Sequence, residues 1–213
     1  PLSIASTLFH NATYKKAAVK AGQTFADRHL SMNGCYWGGT LDATCEDKEG
    51  AWAAFQGFIT LYEQYRDVKY LAWAKHAMDV CLSYVVDWDI PLPPGRLADF
   101  GFKSTGWTVV SPQNQHLDVY GVLFAPEVYK MGTYLKDERL HKLSKVMFRT
   151  CAQLMNPYGS QGEQIQHTNF AQNGDMSNVH KLRGGYSEGW TVFWITAHFL
   201  NAAARFEEMN VIP

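Results

Sequence analysis

Three carboxylates stand at matching places along this chain: Glu49, Asp118 and Glu188. Each follows a stretch rich in glycine or polar residues, and each leads into an apolar segment. The runs are Glu49-Gly50-Ala51-Trp52, Asp118-Val119-Tyr120 and Glu188-Gly189-Trp190-Thr191. The spacing is nearly regular, 69 residues from Glu49 to Asp118 and 70 from Asp118 to Glu188. Two carboxyl groups facing one bond can divide the work of acid and base. One protonates a leaving oxygen while the other activates water or attacks. A single acid at a helix start is better explained as a cap that meets the helix dipole and the free N–H groups. The set in register is what points to chemistry. The dipole favours the ionised form, which suits a base or nucleophile. A general acid at Glu188 would need burial against Tyr186 and Trp190.

Aromatic and polar residues flank these acids. Tyr36, Trp37, Trp107, Tyr186 and Trp190 offer faces on which the C–H side of a sugar ring can stack. Gln113, Asn114, His116 and Arg183 supply hydrogen bonds of the kind that sugar hydroxyls use. Trp52, Trp190 and Trp194 could equally pack between helices, and for Trp194 that is the expected role.

Other classes of function find little support. Formal net charge is −1, with no block of like charges, so neither nucleic acid nor an anionic membrane is an expected partner. No apolar run approaches the ~18 residues of a membrane span, and no signal-peptide pattern is present. The chain opens on Pro1 rather than Met, which leaves localisation unread. There is no Walker A loop, no nucleophile elbow and no Cys/His cluster of metal-site type, so no cofactor and no metal are expected. Cys81 and Cys151 sit at matching helical positions and are expected to be buried thiols, whereas Cys35 and Cys45 share a loop and could bridge. Asn11-Ala12-Thr13 fits a glycosylation sequon, a pattern common by chance. Lys142, Lys145 and Arg149 read as a solvated helix face.

The elements that must position the acids are helical. Apolar periodicity predicts helices over Asn11–Leu30, Asp47–Tyr65, from Asp67 past Val85, Gln115–Tyr134, Asp137–Met155 and Ser187–Asn210, with Pro126 expected to kink the fourth. The second, fourth and sixth are apolar on more than one face, as buried helices are. The third and fifth each carry a single stripe. Long loops precede the buried helices and short turns follow them, and loops of that length are unusual unless they are functional. Leu71 with Leu140 and Met78 with Met147, each at offset 69, complete a helical-hairpin repeat.

That repeat resembles the α/α toroid, in which inner helices form a ring and outer helices surround it. Within that architecture the inner-helix acids and loop aromatics look most like the six-hairpin glycosidases. The resemblance implies an all-α, toroid-like array of three helical hairpins over residues 1–213, a single domain that forms the C-terminal part of a larger toroid. It implies a site at Glu49, Asp118 and Glu188, and an oligosaccharide or polysaccharide substrate. Three hairpins are half of a six-hairpin ring, so a missing N-terminal half or another copy would complete it.

The function expected is therefore that of a carbohydrate-active enzyme, a glycoside hydrolase working by carboxylate acid–base chemistry in an aromatic-lined cleft. Two alternatives stand beside it. A sugar epimerase or polysaccharide lyase on the same fold would use His116, His167 or Tyr186 to remove a proton. A non-catalytic helical-repeat scaffold would bind a glycan or a protein on its concave face.

Overall fold

The computed structural model describes residues 1–30, 48–91, 96–99, 101–109, 117–154, 164–165 and 193–213. These residues are mostly helical with little strand, so the all-α expectation holds. They divide into two compact units, Pro1–Ser83 and Tyr84–Pro213.

The first unit contains α1 (Leu2–Leu8), α2 (Ala12–His29), α3 (Lys48–Tyr65) and α4 (Val68–Leu82). Asn11 starts α2 by accepting hydrogen bonds from the backbone N–H groups of Thr13 and Tyr14 at 2.9 and 3.2 Å. That satisfies two of the four donors a helix start leaves open. The α3 helix buries Phe55, Phe58 and Ile59, and α4 buries Ala74, Ala77 and Met78, so the hairpin closes on an apolar seam.

The second unit holds α5 (Arg96–Asp99), β1 (Thr108–Val109), β2 (Leu117–Asp118), α6 (Gly121–Leu135), α7 (Glu138–Cys151), β3 (Gln164–Ile165) and α8 (Phe193–Glu208). The three short strands form one antiparallel sheet in the order β1-β2-β3, pairing Thr108 with Asp118 and Asp118 with Gln164. Residues 84–86 run alongside β1, tied by bonds from Val86 N–H to the Trp107 carbonyl and from Val109 N–H to the Tyr84 carbonyl. Behind the sheet lies a core of Val86, Phe102, Trp107, Leu117, Val119, Val122, Cys151, Phe199 and Ala202. The α6 helix runs unbroken through Pro126. Ser144 in α7 donates to the Ala125 carbonyl at 2.7 Å and joins the two helices of the hairpin. Lys145 and Arg149 reach the carbonyls of Ile212 and Pro213 at 2.6 and 3.0 Å, so they hold the last residues against α7 rather than facing solvent alone.

One turn design recurs. One or two residues past the ends of α1, α3, α6 and α8 stand His10, Arg66, Lys136 and Asn210, all left-handed with φ between 50° and 58°. In three of the four, the next N–H returns to a carbonyl five residues back: Asn11 to Ser6, Asp137 to Gly132 and Val211 to Phe206. This is the arrangement that closes the free carbonyls of a helix end. In the first three turns the following residue, Asn11, Asp67 or Asp137, then caps the next helix through its side chain.

These turns set the repeat register. Asp67 and Asp137 are 70 residues apart, and burial follows that offset: Ala51 with Gly121, Phe58 with Val128, Leu61 with Met131, Ala77 with Met147 and Cys81 with Cys151 are all buried. The offset of 69 expected from Leu71/Leu140 and Met78/Met147 matched chemically similar side chains one position out of step. The geometry of the turn, not residue similarity, fixes which face a helix presents.

Candidate functional site

Asp118 is the carboxylate about which the structure says most. It was expected in the first turn of a helix beginning near Gln115; instead it ends β2, and the helix begins at Gly121. The strand pairing of Leu117 and Asp118 on both sides takes up the backbone groups a helix would have needed. Its side chain is 0% exposed. The Thr108 hydroxyl, on the residue directly across the ladder, donates to its Oδ1. The Tyr120 N–H donates to the same oxygen at 3.1 Å, closing a tight turn that leads the chain into α6. A carboxylate taken out of water is costly unless it is hydrogen-bonded, and these two donors meet part of that requirement.

The charge of Asp118 is felt nearby. Burial pushes the Cys151 thiol far above its ordinary range, and the Asp118 carboxylate pushes it further. Cys151 lies at the end of α7, its Sγ 3.6 Å from the Gly106 carbonyl. Cys81 and Cys151 are both buried thiols outside any disulfide, as expected from their matching positions. The raised pKa keeps the Cys151 thiol protonated and inert toward electrophiles.

Two glycines let the backbone close around this point. Gly106 has φ +92°, and a Cβ there would meet Thr150 Oγ1 at 2.5 Å and Met147 Cα at 3.1 Å. A Cβ on Gly121 would sit 2.9 Å from the Gly106 carbonyl and 3.5 Å from Cys151 Sγ. The segment carrying β1, the start of α6 and the end of α7 thus meet at van der Waals distance.

Trp107, expected as a stacking surface, is 0% exposed. Its ring packs edge-on against Phe102 at 5.0 Å, and its Nε1–H donates to the Thr150 carbonyl at 3.0 Å. It is a core residue, with no face open to a sugar. Its place between two polar loop segments hid that role in the sequence.

Glu49 lies exposed in the first turn of α3, as expected for an acid at a helix start. At the offset of 70 that the turns define, however, the counterpart of Asp118 is Lys48, itself only 1% exposed, and the counterpart of Glu49 is Val119. Tyr36, Trp37, Gln113, His116, His167, Arg183, Tyr186, Glu188 and Trp190 lie outside the described residues.

A second buried acid was not anticipated. Glu127, in the middle of α6, is 0% exposed and pairs with Arg205 of α8, whose side chain is 18% exposed. The partners are 78 residues apart, and neither belongs to a motif that would reveal the pair. The only hint is an acid inside the strongly apolar run Val122–Met131.

Among the described residues no cluster of His, Cys, Asp and Glu has the grouping to hold a metal ion, and no helix is long and apolar enough to cross a membrane. Comparison with protein-family models, with curated proteins and with solved structures gave no match.

Proposed function

We propose that this chain is a carbohydrate-active enzyme, a glycoside hydrolase built on part of an α/α toroid, with Asp118 as its best-supported acid. The observation that carries this reading is a fully buried carboxylate held at Oδ1 by the Thr108 hydroxyl and the Tyr120 N–H, at the entrance to an apolar hairpin helix. A group fixed in that way is held in one orientation, which is one part of what acid–base catalysis requires; at 0% exposure it would reach a substrate only if the residues over it moved aside. Glu188, five residues ahead of α8, is proposed as its partner across the scissile bond, with Glu49 a third acid. The substrate class is an oligosaccharide or polysaccharide, with Tyr36, Trp37, Gln113, His116, Arg183, Tyr186 and Trp190 proposed to hold it.

A second reading is favoured by the same bonds. With Thr108 and Tyr120 both engaging Oδ1, Asp118 also serves the local fold, as it would in a non-catalytic helical scaffold. Turnover of a panel of aryl glycosides and plant and bacterial oligosaccharides separates the two. Under the enzymatic reading the wild-type chain releases product, and Asp118→Asn and Glu188→Gln each abolish release while the far-UV spectrum is unchanged. Glycan binding that survives both substitutions, with no product from any chain, would support the scaffold and sink the hydrolase.

A further inference from the structure

The left-handed turns align α1 with α6. His10 and Asn11 stand as Lys136 and Asp137 do, and in both turns the capping residue's N–H returns to a carbonyl five residues back, Ser6 or Gly132. The offset is 126 residues, and at that offset α2 answers to α7. The match is incomplete, because Leu2 answers to Val128 whereas α6 begins at Gly121. Residues 121–126, the first turns of α6, therefore have no counterpart in the first unit. In the second unit those turns cover one face of α7. Ser144 donates to the Ala125 carbonyl at 2.7 Å, and a Cβ on Gly121 would lie 3.4 Å from Met147 Cε and 3.5 Å from Cys151 Sγ. Ser144, Met147 and Cys151 are each 0% exposed.

On α2 the residues that answer to Ser144, Met147 and Cys151 are Ala18, Ala21 and Phe25, and here Ala21 is exposed and Phe25 is 43% exposed. They line an apolar groove of about 480 Å³, with Ala53 and Gly57 of α3 on its other wall and Pro1 to Ser3 lining it where α1 begins. A Cβ on Gly22 would run into Leu61 at 2.5 Å, whereas one on Gly57 would meet nothing within 4 Å, so the two helices touch at Gly22 while Gly57 faces open space. A small molecule fits this groove poorly. Small-ligand sites place several polar groups to orient what they bind, and Ser3 is the only polar side chain in this lining. Small side chains on both walls instead suit the close approach of another helix. We propose that the groove seats an apolar helix continuous with α1 and running ahead of Pro1, the counterpart of residues 121–126. Proline at that point is no bar: α6 runs unbroken through Pro126, which answers to the position just ahead of Pro1.

The test supplies the occupant. One variant carries, ahead of Pro1, about two helical turns with alanine and leucine on the face towards the groove and glutamate and lysine elsewhere. A second carries the same residues with the apolar face turned to solvent. Hydroxyl-radical footprinting read by mass spectrometry follows Phe25, with Tyr14 of the same helix, 37% exposed and outside the groove, as the standard. In the first variant oxidation of Phe25 relative to Tyr14 falls severalfold and the thermal midpoint rises by several degrees. The second variant behaves as the 213-residue chain does. Ala21→Glu puts a carboxylate into the groove at an exposed position, so it leaves the 213-residue chain folded and cancels both gains in the first variant. Gly57→Leu, which fills the groove from α3, cancels them too and serves should Ala21→Glu not fold. Equal oxidation of Phe25 in all three chains overturns the proposal, as does protection that survives both substitutions. A 213-residue chain that sediments as a dimer, and as a monomer once Ala21→Glu is introduced, overturns it in favour of a second copy in the groove.

Discussion

Thr108 and Asp118 face each other across two antiparallel strands, and the threonine hydroxyl donates to the buried carboxylate. Thr108→Val keeps the shape and removes the donor, leaving a buried carboxylate short of one bond. The expected cost is about 2 kcal/mol of unfolding free energy, read as a lower midpoint in urea with unchanged slope. Thr108→Ser should recover most of it. A neutral result for Thr108→Val would show that Asp118 is satisfied elsewhere.

The cap at Asp137 gives a pH dependence with a definite sign. The Arg139 side chain and then its backbone N–H hold the Asp137 carboxyl down at about 2, against an ordinary value of 3.8. Because the folded pKa lies below the unfolded one, the contribution is complete above about pH 4 and is lost as pH falls towards 2. Asn caps as well as Asp, so Asp137→Asn should retain the fold at neutral pH. Its acid unfolding should lose sensitivity over that interval. The difference should shrink in high salt, because the group is exposed. Parallel acid titrations of the two proteins would contradict this.

Gly106 permits no side chain. Gly106→Ala places a Cβ 2.5 Å from Thr150 Oγ1 and close to the backbone of α7, at a backbone angle that L-residues rarely adopt. A loss of about 1 kcal/mol or more is expected, with a thermal midpoint several degrees lower. An unchanged midpoint would mean that α7 moves freely away from the loop.

The left-handed residues after α3 and α6 are not glycine, although that is where glycine is most at ease. A non-glycine residue there costs ~1–2 kcal/mol, against ~0.4–1 kcal/mol for the extra freedom glycine has when unfolded. Arg66→Gly and Lys136→Gly should therefore each stabilise the chain slightly, by up to about 1 kcal/mol. Chemical denaturation of the two single variants checks this, and a destabilisation of either would point to a role for the replaced side chain.

Much of the helical layout was legible because its signals are local. The predicted Asn11–Leu30 is observed as Ala12–His29, and Asp47–Tyr65 as Lys48–Tyr65. Both have strong apolar periodicity, and α2, α4 and α7 open on Asn or Asp caps. The α1 helix escaped notice because seven residues span too few turns to show a period. The strands at Thr108–Val109 and Leu117–Asp118 are two residues each, too short to alternate, so the sequence around Asp118 carries only the signal of the helix that follows. Trp107 and the Glu127–Arg205 pair depend on contacts 43 and 78 residues apart in the chain, which no local pattern encodes.

The recurring turn has a consequence for the order in which the molecule assembles. Between α3 and α4, and between α6 and α7, the connection is two residues long, so each hairpin forms almost entirely from neighbours in sequence. Little loop entropy opposes such closure, and chains dominated by local contacts fold fast. The bond from Trp107 to the Thr150 carbonyl and the Glu127–Arg205 pair join residues 43 and 78 apart, and they are expected to form after the hairpins. In a stopped-flow refolding experiment the far-UV signal should thus recover ahead of the near-UV signal of buried Trp107, so that the helices precede the environment of the acid they present.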